Sequence, residues 1–203
     1  MRRRARPDLS GDADDASFIA ASVREPDRFA TVFDRHAGPI HRYLARRLGA
    51  QAADDLLGET FLVAFRKRHD YDGTRGDARP WLYGIATHLI AQHRRDEVRA
   101  ARLVRAVPED GAALCHAEQV AADVTAAALR DTLDAALALL AGGDRDVLLL
   151  VAQEELTYDE VAVALDIPVG TVRSRLHRAR QTLRAALGGA NPAMIHEEAV
   201  GHG

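Results

Sequence analysis

Only one cysteine, Cys115, occurs in the 203 residues. A single thiol excludes an intramolecular disulfide framework and any multi-cysteine zinc or iron–sulfur site, as expected in a reducing compartment. Aromatic side chains are scarce at 5%, whereas 39 residues are alanine. That balance points to helices packed closely through small side chains. Long apolar runs are missing too. Stretches such as Ala135 to Ala141 fall far short of the roughly 18 residues of a membrane span. Arg2, Arg3, Arg4 and Arg6 open the chain, but acids follow where a secretion signal needs its apolar stretch. A soluble, cytoplasmic protein with no membrane partner is expected. Lysine is nearly absent, since 26 of the 27 cations are arginine. Arginine suits planar recognition of phosphates and guanine edges, although a GC-rich genome gives the same bias.

The chain has a net charge of −3, which conceals a local imbalance that says more about partners. Between Ile167 and His196 there is no acid, while Arg173, Arg175, Arg178, Arg180 and Arg184 fall in that window. The segment just before it holds Glu154, Glu155, Asp159, Glu160 and Asp166.

Hydrophobic spacing predicts an all-α protein of two small helical domains joined by a flexible linker, the second a helix-turn-helix. Residues 1–15 mix charge, Pro7 and Gly11 without apolar period, and 1–24 is read as an arm and lead-in. The first domain, 25–99, starts with apolar positions Phe29, Val32, Phe33, Ile40, Leu44 and Leu48, interrupted by Gly38-Pro39 and stopped by Gly49. Two helices or one kinked helix are expected there. Ala53, Leu56, Leu57, Thr60, Phe61, Ala64 and Phe65 form the next period, with Asp54 and Asp55 expected in its first turn. A charged loop from Asp70 to Asp77 precedes a helix carrying Trp81, Leu82, Ile85, Ala86, Leu89 and Ile90 on one face. Periodicity lapses over the linker, 100–128, where Pro108 to Gly111 breaks the chain. The second domain, 129–187, is followed by a tail, 188–203. No internal repeat or alternating strand pattern is evident.

Thr157-Tyr158-Asp159-Glu160 fits a capping box, so a short helix should start there and bury Val161, Ala162 and Leu165. Asp166-Ile167-Pro168 forms the corner, and Pro168 is tolerated because the next helix is only starting. That helix buries Val172, Leu176, Ala179 and Leu183 and displays a basic, acid-free remainder. A basic amphipathic helix alone is usually a solvated surface. The capped short helix, the corner and the basic helix together make a DNA-reading helix-turn-helix. Arg173 and Arg178 are candidates for bidentate guanine contacts.

The segments Leu156 to Ala162 and Ile167 to Arg180 closely resemble region four of bacterial RNA polymerase sigma factors of the small extracytoplasmic-function group. Asp54-Asp55-Leu56-Leu57-Gly58-Glu59-Thr60-Phe61 resembles that group's polymerase-clamp motif, and Trp81-Leu82-Tyr83-Gly84-Ile85-Ala86 its promoter-melting helix. The resemblance spans about Phe29 to Leu187. It implies a dissociable promoter-specificity subunit of core RNA polymerase that recognises minus-thirty-five and minus-ten elements and assists melting, with no chemistry and no cofactor of its own. For the minus-thirty-five element it implies Arg173, Ser174, His177 and Arg178 on bases, with Tyr158, Thr171 and Arg175 near phosphates. For the minus-ten element it implies Tyr71, Asp72, Thr74 and Arg75 in the loop, where a flipped base is held, and His88, Gln92 and Arg95 on the helix that follows. Asp54, Asp55, Leu57, Glu59, Phe61 and Phe65 would lie on or under the surface that docks on the clamp of the largest polymerase subunit. Promoter DNA, core polymerase and an inhibitory anti-sigma factor are the implied partners.

The sequence departs from the group at Gly58, commonly glutamine, at Gly84, commonly arginine, at His88, commonly asparagine, and at Gly142-Gly143, which replaces a proline-bearing turn. Trp81 reads as a core anchor in preference to a DNA-stacking ring, and Tyr71 as the better stacking candidate. Phe61 and Phe65 suit either the core or the clamp surface, and Asp54 and Asp55 either dipole complementation or docking. Nine histidines show neither an HExxH arrangement nor a nearby cysteine cluster, so no metal site is expected. A stand-alone helix-turn-helix regulator is the alternative reading. An enzyme is disfavoured because no catalytic constellation is present.

Overall fold

The computed structural model describes residues 14–75, 77–105 and 132–187. The expected arm up to residue 13, most of the linker, Cys115 and the tail lie outside them. Among the described residues every regular element is helical, and the chain divides into two compact units, Met1–Ala91 and Gln92–Gly203.

The first unit begins with α1 (Asp15–Ser22), inside the stretch read from sequence as arm and lead-in. Asp14 caps it by accepting from the Ser17 amide at 2.9 Å, and Ala16, Phe18 and Ile19 are buried. Burial of these three apolar groups offsets part of the cost of ordering so short a helix and packs α1 into this unit. The segment Phe29–Leu48 forms one helix, α2, with Pro39 inside it. Gly49 ends it at φ 86°, a left-handed conformation that glycine adopts without a Cβ clash. Helix α3 (Ala50–Arg66) then starts four residues earlier than Asp54. Alanine-rich Ala50 to Ala53 extends the helix backward, which corrects the expected first-turn position of Asp54 and Asp55. Edge-to-face pairs join α2 to α3: Phe29 to Phe65 at 5.4 Å and Phe33 to Phe61 at 4.8 Å.

Two 3-10 turns, Arg68–Asp70 and Gly73–Arg75, lead to α4 (Arg79–Arg105), which continues six residues beyond the expected end at 99. Nothing between Ala100 and Arg105 breaks a helix, since neither glycine nor proline occurs there. The inner face of α4 includes Leu82, Tyr83, Ala86, Leu89 and Ile90. Tyr83 meets Tyr43 edge to face at 5.3 Å, and the Tyr43 hydroxyl hydrogen-bonds Thr87 Oγ1 at 2.8 Å in the interior. These contacts tie α2 to α4.

In the second unit a helical segment, α5 (residues 132–138), precedes α6 (Gly142–Ala152), α7 (Tyr158–Leu165) and α8 (Val169–Ala186). Val147, Leu150, Val161, Val172, Leu176 and Ala179 form a core among α6, α7 and α8. The predicted capping box is formed: the Thr157 amide donates to Glu160 Oε2 at 2.7 Å and the Glu160 amide to Thr157 Oγ1 at 3.3 Å. Asp166 closes α7 in the left-handed region at φ 51°, which a short polar side chain tolerates. Pro168 stands at the N-cap of α8, as expected.

Candidate functional site

Helix α8 buries Val172, Leu176, Ala179 and Leu183, so its polar residues divide into two flanks. Arg173, Ser174, His177, Arg180, Gln181 and Arg184 occupy one exposed flank. Thr171, Arg175 and Arg178 lie on the other side of the apolar stripe by helical spacing, with Thr171 and Arg175 half-buried and Arg178 exposed. Tyr158, the first residue of α7, is half-buried. The seven residues assigned to the upstream element are thus not one uniform surface.

Two of those arginines are engaged by α6. Arg178 donates through Nε to Asp144 Oδ2 at 3.0 Å and through Nη2 to Asp144 Oδ1 at 2.9 Å. The Asp144 carboxylate holds the Arg178 proton more tightly than in a free guanidinium, through this hydrogen bonding and its charge. Arg175 covers Gly143: a Cβ there would come within 2.8 Å of Nη1 and 3.0 Å of Cζ. The glycine in place of a larger residue therefore admits the Arg175 side chain to the start of α6. Arg173, Arg175, Arg180 and Arg184 make no ion pair among the described residues.

Before α4, Asp72 Oδ1 accepts from the Thr74 amide at 3.1 Å and from Thr74 Oγ1 at 2.7 Å, a local turn that sets the loop. The Tyr71 ring rests on Trp81 at 4.9 Å with both rings half-buried. Trp81 is accordingly a partial anchor, and one side of the Tyr71 ring meets it at a tilt of 50°. Of Arg75 only the backbone is described. His88, Gln92 and Arg95 are exposed on α4 at spacings of four and three, one stripe of that helix.

On α3, Asp54, Asp55 and Glu59 are exposed, Leu57 and Phe65 half-buried, and Phe61 buried. Asp54 Oδ1 pairs with His41 Nε2 at 3.0 Å. Phe61 is core, and Phe65 lies beneath the Arg68 guanidinium at 3.9 Å. Leu62, 47% exposed, was missed from sequence. It follows Asp55 by seven and Glu59 by three, so it extends their stripe, and an apolar residue on a polar face was the available signal.

Also missed was Asp15, whose carboxylate is buried. His36 Nε2 lies 2.6 Å from Oδ2, Arg35 Nη1 donates to Oδ1 at 3.0 Å, and the Ala78 amide donates to Oδ2 at 3.2 Å. Burial alone would raise its pKa, but the hydrogen bond and charge of His36, the Ala78 amide and Arg35 outweigh it and hold it at about 2. Asp77 lies close enough to Asp15 and His36 to complete a metal-ligand set. The Arg35 cation and the Ala78 amide already occupy the Asp15 oxygens, however, and oppose a metal ion there.

Comparison with known proteins adds to this geometry. Residues 32–100 match the family model "Sigma-70 region 2", and residues 130–183 match "Sigma-70, region 4". ECF RNA polymerase sigma factor SigL of Mycobacterium tuberculosis is 33% identical over 85% of this chain and 96% of its own. The chain belongs to the extracytoplasmic-function group of RNA polymerase sigma factors. SigW of Bacillus subtilis is 30% identical over 80% of this chain and 90% of its own. SigE of Mycolicibacterium smegmatis is 36% identical over 74% of this chain, which spans 58% of that relative. The solved structure of CnrH with the cytosolic domain of CnrY aligns at a TM-score of 0.60, with 27% identity and coverage of 89% of this chain and 100% of the other. RpoE from Bartonella quintana, solved with the anti-sigma factor NepR, shares the fold at a TM-score of 0.60 and 19% identity, covering 81% of this chain and 99% of its own. The protein is therefore an alternative sigma factor that directs promoter-specific transcription initiation, and the stand-alone regulator is not favoured. Among the described residues no helix is long and apolar enough to cross a membrane.

Proposed function

We propose that this sigma factor, acting in the cytoplasm, docks through α3 on the clamp of core RNA polymerase. It reads the minus-thirty-five element with α8 and the minus-ten element with the Tyr71–Thr74 loop and the His88, Gln92 and Arg95 stripe. It performs no bond chemistry itself, and its role is to bind, select and hold open. The observation that carries this reading is the acid-free α8, seated behind a formed capping box with a cationic exposed flank. Phosphates and base edges both reward cations on such a helix. An anti-sigma factor belongs among its partners, in keeping with the solved complexes of its structural neighbours.

Docking on α3 rests on Asp55, Glu59 and Leu62, a polar stripe with one exposed apolar residue. Gel filtration of the full chain with core polymerase at about micromolar concentration tests it. We expect a one-to-one complex that supports run-off transcription, and its loss with Leu62→Asp. Absence of a complex from folded, inhibitor-free protein would overturn the reading. Retention of the Leu62→Asp complex would move docking to another face.

A further inference from the structure

Arg178 and Asp144 are 34 residues apart in sequence yet form a two-pronged ion pair between α8 and the first turn of α6. The Asp144 side chain is 12% exposed, that of Arg178 56%. The pair is thus rooted in the protein at its acid end and open to solvent at its cationic end. A guanidinium carries five N–H donors in a fixed plane. Asp144 engages the side edge, Nε and one hydrogen of Nη2, and leaves both Nη1 hydrogens and the second Nη2 hydrogen. The remaining Nη1 and Nη2 donors form the fork that pairs with the N7 and O6 acceptors of guanine in a major groove. Arg178 lies on the flank opposite Arg173 and His177 but follows Ser174 by one helical turn, so its open end borders the exposed surface of the reading helix.

We propose that Asp144 is a specificity-determining positioning residue, which fixes the Arg178 guanidinium so that its free fork selects guanine at one position of the upstream element. The inference rests on the assignment of α8 as the reading helix and extends it to a residue on a different helix. A long, free arginine loses rotamer freedom when it binds a base and also accepts phosphate contacts readily. One clamped in advance loses less and is held at a single register. Gly143 contributes to the same corner by leaving room for Arg175 beside the ion pair.

The opposite role is physically distinct and separable. If Asp144 merely competed with DNA for Arg178, removing its charge would tighten binding to every sequence alike. The test uses holoenzyme made with the full chain and a promoter series carrying each base at each upstream position. We expect wild-type protein to prefer guanine at one position by about tenfold or more, the discrimination of a good bidentate contact. Arg178→Ala should flatten that position alone. Asp144→Asn should flatten the same position to a few-fold preference, and should add nothing in combination with Arg178→Ala. Arg178→Lys, which keeps the charge and loses the fork, should behave like Arg178→Ala. Asp144→Glu, which keeps the charge and displaces the carboxylate, should also weaken that guanine preference and serves as the second variant if Asp144→Asn fails to fold by circular dichroism. Uniformly tighter binding by Asp144→Asn overturns the proposal, as does an Asp144→Asn profile identical to wild type. Failure of the wild-type holoenzyme to recognise any promoter would instead sink the sigma reading itself, so the two failures are distinguishable.

Discussion

Asp15 shows how one side chain can organise a unit. Its carboxylate joins the start of α1 to Arg35 and His36 on α2 and to the Ala78 amide just before α4. Asp15→Asn keeps the shape and removes the charge, leaving His36 and Arg35 beside a neutral amide. Loss of one partner in a buried, charge-assisted network costs about 1–3 kcal/mol, so urea melts at neutral pH should show a loss of that size. Because the folded carboxyl is held at about 2 against an ordinary 3.8, its contribution is present above about pH 4 and fades as pH falls toward 2. The difference between wild type and variant should therefore narrow between pH 4 and pH 2. A constant difference across that range would refute the role of the ionised form. Sequence alone did not disclose Asp15, because periodicity detects apolar faces and this residue is a polar hub at the edge of a charged segment. The Asp14 cap three residues before Ser17 and the apolar pair Phe18-Ile19 were the legible hints.

At the scale of elements, the spacing of apolar residues located α2, α3, α4, α7 and α8, since each must hide one stripe from water. The positions buried on α8 are the four read from sequence, and the capping box is formed at Thr157 and Glu160. Ends were less legible than faces. Helix α3 begins at Ala50 and α4 runs to Arg105, because alanine and arginine extend a helix wherever nothing stops it. The site was legible in composition more than in geometry. Cations on α8 were evident, but the capture of Arg178 by Asp144 joins residues far apart in sequence, which no local pattern encodes. Thr157→Ala removes a hydroxyl that accepts from the Glu160 amide and donates to the Glu160 carboxylate, while the backbone amide of residue 157 still donates to that carboxylate. The expected loss is about 1 kcal/mol, read as a lower urea midpoint with unchanged slope. An unaltered midpoint would mean that packing of Val161 and Leu156, and not the cap, fixes the start of α7.

For the whole molecule, a net charge of −3 opposes DNA, so affinity must come from how the charge is distributed. Seven acids fall between Asp144 and Asp166, and none between Ile167 and Leu187. A duplex thus meets attraction at α8 and repulsion from the preceding segment, and binding by the free chain should be weak. Attachment to polymerase changes this by raising the effective concentration of α8 at its element. The salt dependence of the free chain on a short upstream duplex counts the cations engaged. Each neutralised phosphate contributes about −0.9 to the slope of log affinity against log salt. Arg173, Arg175, Arg180 and Arg184 make no ion pair among the described residues, whereas Arg178 is held by Asp144. A slope between about −2 and −4 follows if most of these four meet phosphates. Arg184→Ala, at the exposed end of α8, should reduce the magnitude by about 1 and weaken all sequences equally, whereas Arg178→Ala should act chiefly through one base pair. Fluorescence anisotropy at four or five salt concentrations separates the two variants. A sequence-selective loss from Arg184→Ala would assign it to base reading and shift the reading surface toward the end of the helix.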